Sequence, residues 1–256
     1  MKTLYGTTTG LKPKQLGRLE NLYHRRVPPD AVVSPALARD LCLLSFEIRR
    51  QIGLLIDRAG NIAFVTIGSP EGIVIPDTSE YRLAPGRLRG LRCIHTHLSN
   101  EPLSRDDFTD LSLLRLDLMA AITMDSEGFP NKIQIAHILP GDDALKRPYQ
   151  VLDPITVSGL DIGFLSLVHS IEAELQKQQP VQKTDSPVEQ ALLVSVFTGN
   201  RAAAKESMVE IESLAHSAGI SVVDTVLQQR RQMDPKFVLG KGKLMDLAIL
   251  ALQKGV

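Results

Sequence analysis

Two histidines one residue apart, His95 and His97, end a short apolar run that begins at Leu91. Side chains at i and i+2 of a β-strand lie on one face, so a strand over 91–97 aims both imidazoles at one point. Ser104 follows His97 by seven residues, and Asp107 follows Ser104 by three. Two imidazoles and a carboxylate are a ligand set suited to Zn²⁺, with the fourth position left for water. The same residues support a plainer reading. A Ser followed three residues later by an acidic side chain is a helix N-cap with its N3 partner, where the positive end of the helix dipole favours the carboxylate. On that reading the histidines only hydrogen-bond a loop.

These groups need a scaffold. The run 91–97 is predicted as a buried strand, followed by a helix reaching about residue 119. Upstream, 11–24 has helical spacing that Pro28-Pro29-Asp30 breaks. A second helix runs from Pro35 towards Arg50. Apolar runs 52–57 and 62–67 flank Arg58-Ala59-Gly60-Asn61, which is a hairpin signal. The stretch 72–75 reads as a third short strand, 120–124 and 132–139 as two more, and 164–177 as a helix. Hairpin strands beside helices imply an α+β or three-layer domain over 1–180. His137 lies inside an apolar strand and reads as a satisfied core residue.

The polar, two-proline segment 181–187 reads as a linker, which leaves 188–256 as a second unit. There 190–197 and 221–227 read as strands around an amphipathic helix over 202–218. That helix carries Met208, Ile211, Leu214 and Ala215 on one face and ends at Gly219. Such a βαβ unit pairs its strands in parallel with a right-handed crossover. With a last helix over 243–253 the fold class is α/β. Two parallel strands cannot cover both faces of a sheet, so the unit reads as the start of a larger domain.

At 256 residues, 43% hydrophobic and 23% charged, the chain has the composition of a globular protein of two domains. Its formal net charge of zero gives no global field for nucleic acid or membrane. The charge is unevenly spread: 226–256 holds six basic residues against Asp234 and Asp246. Cys42 and Cys93 sit in apolar surroundings and read as buried thiols of a reducing compartment. No stretch has the ~20 apolar residues of a membrane span and no signal peptide opens the chain, so a cytoplasmic protein is expected.

The His-x-His, spacer, Ser-x-x-Asp pattern, with Leu103-Ser104-Arg105-Asp106-Asp107 as its second half, resembles the JAMM (MPN-type) metalloprotease motif. It differs from that motif in having Leu98 where Pro is usual and a spacer one residue shorter. The resemblance implies a zinc-dependent hydrolase of an amide or isopeptide bond. His95, His97 and Asp107 would then be the ligands, Ser104 would steady the oxyanion, and an upstream glutamate, taken as Glu47, would activate water. The alternative is a catalytically dead interaction module of the same fold.

A second resemblance lies near the C-terminus. Residues 234–243 (DPKFVLGKGK), preceded by Gln228-Gln229-Arg230-Arg231 and by Ser217-Ala218-Gly219, are similar to the N-terminal domain of the HflX family of ribosome-associated GTPases. This similarity covers about 191–256. It implies binding to the large (50S) ribosomal subunit, and GTP hydrolysis with Mg²⁺ in a separate G domain. No Gly-x-x-x-x-Gly-Lys-Ser/Thr occurs in these residues, so the expectation is an N-terminal part without that domain. The turn itself suits an anion. Gly240 and Gly242 allow close backbone approach, a helix N-terminus follows, and Arg230, Arg231, Lys236, Lys241 and Lys243 supply charge for the phosphates of ribosomal RNA or of a nucleotide. The alternative is a solvated turn whose glycines serve packing.

Overall fold

The first segment of the chain makes a short strand, β1 (Leu4–Gly6), and two helices, α1 (Pro13–Asn21) and α2 (Pro35–Ile48). Ser34 caps α2 by accepting the Leu37 N–H, and Arg49, in the left-handed region, closes it. The expected hairpin follows as β2 (Ile52–Asp57) and β3 (Ile62–Ile67). Its turn requires Gly60, whose φ is +86° and whose Cα faces the Val27 carbonyl too closely for any side chain. Then come β4 (Leu91–His97), α3 (Arg105–Leu113), β5 (Leu118–Met124), β6 (Pro130–Ile138), β7 (Tyr149–Val151), β8 (Ile155–Thr156) and α4 (Phe164–Gln178). In this computed structural model the described residues are 3–256 without 82, 85, 141–148, 179–188, 231, 233–237 and 255. The expected linker, 181–187, and the expected RNA contacts Arg231 and Lys236 therefore lie outside the described residues.

The strands form one mixed sheet in the order β1-β3-β2-β4-β5-β6-β7, with β8 also on β6. β1 runs parallel to β3 and β4 parallel to β5, while the other pairs are antiparallel. Every residue of β4 and β5 is buried, as befits strands covered on both faces. Alternation along β4 sorts its side chains between two helical layers. Thr96 meets Ser45 of α2 at 2.7 Å, and Arg92 lies over the Phe164 ring of α4. On the opposite face, Cys93, His95 and His97 look towards α3. A fully buried Leu or Ile such as Leu54, Ile94 or Leu118 stabilises this arrangement by about 2 kcal/mol.

A buried ionic network ties the β2–β3 turn to the far layer. Arg58 reaches Asp117 at 2.7 Å and Glu172 of α4 at 2.7 Å. Glu172 also accepts the Leu88 N–H at 2.9 Å. Both carboxylates are nearly or fully removed from solvent, so each requires these partners.

Two expected elements differ. The helix after Ser104 stops at Leu113, because Arg115 takes a left-handed φ of +51° and the Leu116 N–H returns to the Leu111 carbonyl. Met119 therefore belongs to β5. Residues 72–75 form no strand, since β2 and β3 already have partners along both edges. This segment instead crosses the sheet face, with Ile73 filling the space that Gly53 leaves by lacking a side chain.

The C-terminal unit has the expected βαβ order: β9 (Gln190–Phe197), α5 (Arg201–Ser217) and β10 (Ser221–Gln229), the strands parallel and in a two-stranded sheet. Of the anticipated apolar face of α5 only Met208 is buried, whereas Ile211 and Leu214 are 43% and 69% exposed. α6 (Lys241–Lys254) packs against α3 and α4. At its end Arg115 donates to the Val256 carbonyl at 2.6 Å. Among the described residues no helix is long and apolar enough to cross a membrane.

Candidate functional site

β4 and the first turn of α3 bring His95, His97 and Asp107 together. His95 Nε2 and His97 Nε2 are 2.9 Å apart. Asp107 Oδ1 lies 3.3 Å from His95 Nε2, and Oδ2 lies 3.8 Å from His97 Nε2. Donor atoms at about 2.0–2.2 Å from a tetrahedral zinc sit about 3.3–3.6 Å from one another. The three separations bracket that edge length, so the trio has the size of one face of such a coordination shell.

The protonation states also fit a cation. His97 Nδ1 is 2.9 Å from the Glu101 carbonyl, which can only accept, so Nδ1 carries the hydrogen and Nε2 keeps its lone pair. Burial pushes the His97 pKa down, and the neighbouring His95 adds to this, favouring the neutral ring. Burial would raise Asp107, but hydrogen bonds from His95 and Ser104 and the attraction of the imidazole hold it well below the usual carboxylate range. The neutral ring of His97 and the ionised Asp107 are in the state metal binding needs, and the hydrogen bond of His95 to Asp107 is the one an ion would replace. His95 Nδ1 is buried without a hydrogen-bond partner among the described residues.

Ser104 holds Asp107 in place. Its backbone N–H donates to Asp107 Oδ2 at 2.6 Å, and its hydroxyl accepts the Asp107 N–H at 3.2 Å. The two readings of this pair are compatible: the residues cap α3 and still present the carboxylate to the histidines.

Beside the trio is a cavity of about 470 Å³. Gln51, His97, Ser104 and Asp107 line it, together with the acidic Glu71, Glu101, Asp106 and Asp110 and the basic Arg105. Glu47 is not among the lining residues. It stands on the exposed side of α2, bonded to Gln15 and paired with Arg18, and Gln15 chiefly lowers its pKa. The structure thus brings Ser104, His95, His97 and Asp107 together and leaves Glu47 with α1. Gln51 and Glu71 were not singled out in the sequence. Gln51 sits one alternation step before Gly53, which pairs with His95, and that step was the available signal.

At the basic turn, β10 ends beside Arg230 and the Gly240 carbonyl accepts the Lys243 and Leu244 N–H groups to open α6. The end of the Arg230 guanidinium lies against Gly240. Lys243 is 3.7 Å from Asp246, and Val238 is 55% exposed, so this turn faces solvent in part. Gly242 belongs to the first turn of α6. The side chain of Lys241 lies outside the described residues.

Residues 205–256 match a family described as "GTP-binding GTPase N-terminal". A 59-residue stretch, 23% of this chain, is 42% identical to a curated protein named GTPase HflX from Lacrimispora saccharolytica. The match covers 14% of that protein, so the chain aligns with only a small part of its relative's length. No solved structure matches. These similarities support kinship of the C-terminal segment with HflX.

Proposed function

We propose that this chain is part of an HflX-type GTP-binding protein that associates with the large ribosomal subunit in the cytoplasm, and that the turn from Arg230 to Lys243 makes the contact. The family match over 205–256, which contains this turn and α6, carries the reading. Arg230 and Lys243, with Arg231, Lys236 and Lys241 on the same connection, supply charge for phosphate contacts, and Gly240 and Gly242 let the backbone approach. GTP and Mg²⁺ belong to a G domain whose phosphate-binding motif these residues do not contain. Sedimentation of the chain with purified large subunits tests this.

For residues 1–180 the reading is a JAMM-like divalent-metal site, Zn²⁺ being the ion best matched to two imidazoles and a carboxylate. The convergence of His95, His97 and Asp107 on one point supports it. A bound ion would supply Lewis acidity at its fourth position. Ser104 orients Asp107, and the Glu101 carbonyl fixes the His97 tautomer. Glu47 is bonded to Gln15 and paired with Arg18, so we favour metal binding and an interaction role over hydrolysis. Zinc retained by the purified protein and lost in His95→Ala supports this assignment. Cleavage of an isopeptide-linked substrate by the zinc-loaded protein would return the hydrolase reading.

A further inference from the structure

Gln51 adds a buried amide to the cavity beside the histidines. Gln51 is 1% exposed, lines the same cavity as His97 and Asp107, and its Oε1 is buried without a hydrogen-bond partner among the described residues. Its orientation is fixed by chemistry. The Gln51 Nε2 donates to the Pro70 carbonyl at 3.2 Å. A carbonyl oxygen can only accept, so the NH₂ group must face Pro70 and the amide oxygen must face the other way. The sheet register places this group beside the site. Gly53 and His95 make the last pair of the antiparallel β2–β4 ladder, and Gln51, just before β2, lines the same cavity as His97.

We infer that Gln51 is a positioning residue of the cation site, its amide oxygen accepting a hydrogen bond from an O–H or N–H ligand seated at the fourth position. The inference rests on the metal reading above. Three donors leave that position open, and a buried acceptor without a donor is the group a structure ordinarily satisfies. An amide oxygen accepts a hydrogen bond but takes up no proton at neutral pH, so Gln51 orients its ligand without ionising it. The cavity lining carries Glu71, Glu101, Asp106 and Asp110 against the single cation Arg105, a net negative surrounding that favours water, an alcohol or an amine over a carboxylate or phosphate.

Competition with a chelator, using Zn²⁺ and Co²⁺ as probes, tests this on the whole chain, and the d–d absorption of bound Co²⁺ reports the geometry of the ion. Gln51→Leu removes the acceptor. It is expected to weaken metal affinity at least tenfold, on the scale of other groups that support metal sites, and to shift the Co²⁺ bands. Gln51→Met keeps the length of the side chain but likewise lacks the amide, so it is expected to weaken binding of both ions to a similar degree. Should Gln51→Leu unfold, the Gln51→Met arm still decides. Affinity within twofold and an unchanged Co²⁺ spectrum in either folded variant overturns the role of Gln51 while leaving the metal site standing. Absence of binding by the unmodified chain removes the metal reading and this one together.

Discussion

Ser104 and Asp107 hold each other across the first turn of α3, the Ser104 N–H on Asp107 Oδ2 at 2.6 Å and the Asp107 N–H on the Ser104 hydroxyl at 3.2 Å. Because one carboxylate oxygen is taken up in capping, the other is left aimed at His95. Ser104→Ala is therefore expected to act twice. Loss of an N-cap costs about 1 kcal/mol, read as a lower urea midpoint of the metal-free protein. Metal affinity should also fall, because Asp107 loses its anchor. A lower midpoint with unchanged metal affinity would show that the cap and the site are independent.

Zn²⁺ should stabilise the protein through His95. A ligand at a hundredfold excess over its Kd adds about 2.7 kcal/mol to the folded state, so the melting temperature should rise on adding zinc. The rise should vanish in His95→Ala and persist in His137→Ala, since His137 lies outside the trio. Equal zinc shifts in both variants would place the ion elsewhere.

Stability should fall steeply in acid, and Glu172 is one cause. Burial alone would raise its pKa, but hydrogen bonds from Arg58, Leu88 and Arg87 bring it below the ordinary glutamate value. A carboxylate whose folded pKa is depressed adds stability above its unfolded pKa, and that stability is lost as pH falls through the folded value. Glu172→Gln should be less stable at pH 7 and show a shallower acid limb than the unmodified chain when urea unfolding is followed against pH. Parallel acid limbs would contradict this.

Cys42 and Cys93 should not react with a thiol reagent until the protein unfolds. Both are buried. Burial pushes Cys42 up to about 12 and Cys93 well above the usual thiol value, so neither supplies thiolate at neutral pH. Rapid labelling of the native protein would argue against the packing of α2 over Cys42 and of α3 over Cys93.

Much of this was legible in the sequence because it depends on local periodicity. The alternation that pairs His95 with His97, the β2–β3 hairpin and the β9–α5–β10 unit follow from spacing and turn residues alone. What escaped was set by tertiary contacts. Glu47 had the right chemistry, but its helix turns it towards Arg18 of α1, a pairing that residue order does not announce. Residues 72–75 are as apolar as a strand, yet the edges of β2 and β3 were already taken, so Ile73 covers Gly53 instead. Arg115 ended α3 early without a glycine to mark the stop. Gln51, neither titratable nor apolar, was marked only by its place two residues before Gly53, and that step points to the site once the pairing of Gly53 with His95 is known.

The claim on which the functional assignment depends is a docking surface at the basic turn. Its most direct test is binding of the chain to purified large ribosomal subunits at several salt concentrations, beside a variant with Arg230, Arg231, Lys236, Lys241 and Lys243 all changed to Ala. Phosphate contacts release counterions, so the unmodified chain should bind with affinity that falls as salt rises, and the variant should bind more weakly with a flatter slope. Equal affinity and equal slope for the two proteins, or no binding by the unmodified chain at low salt, would contradict the account.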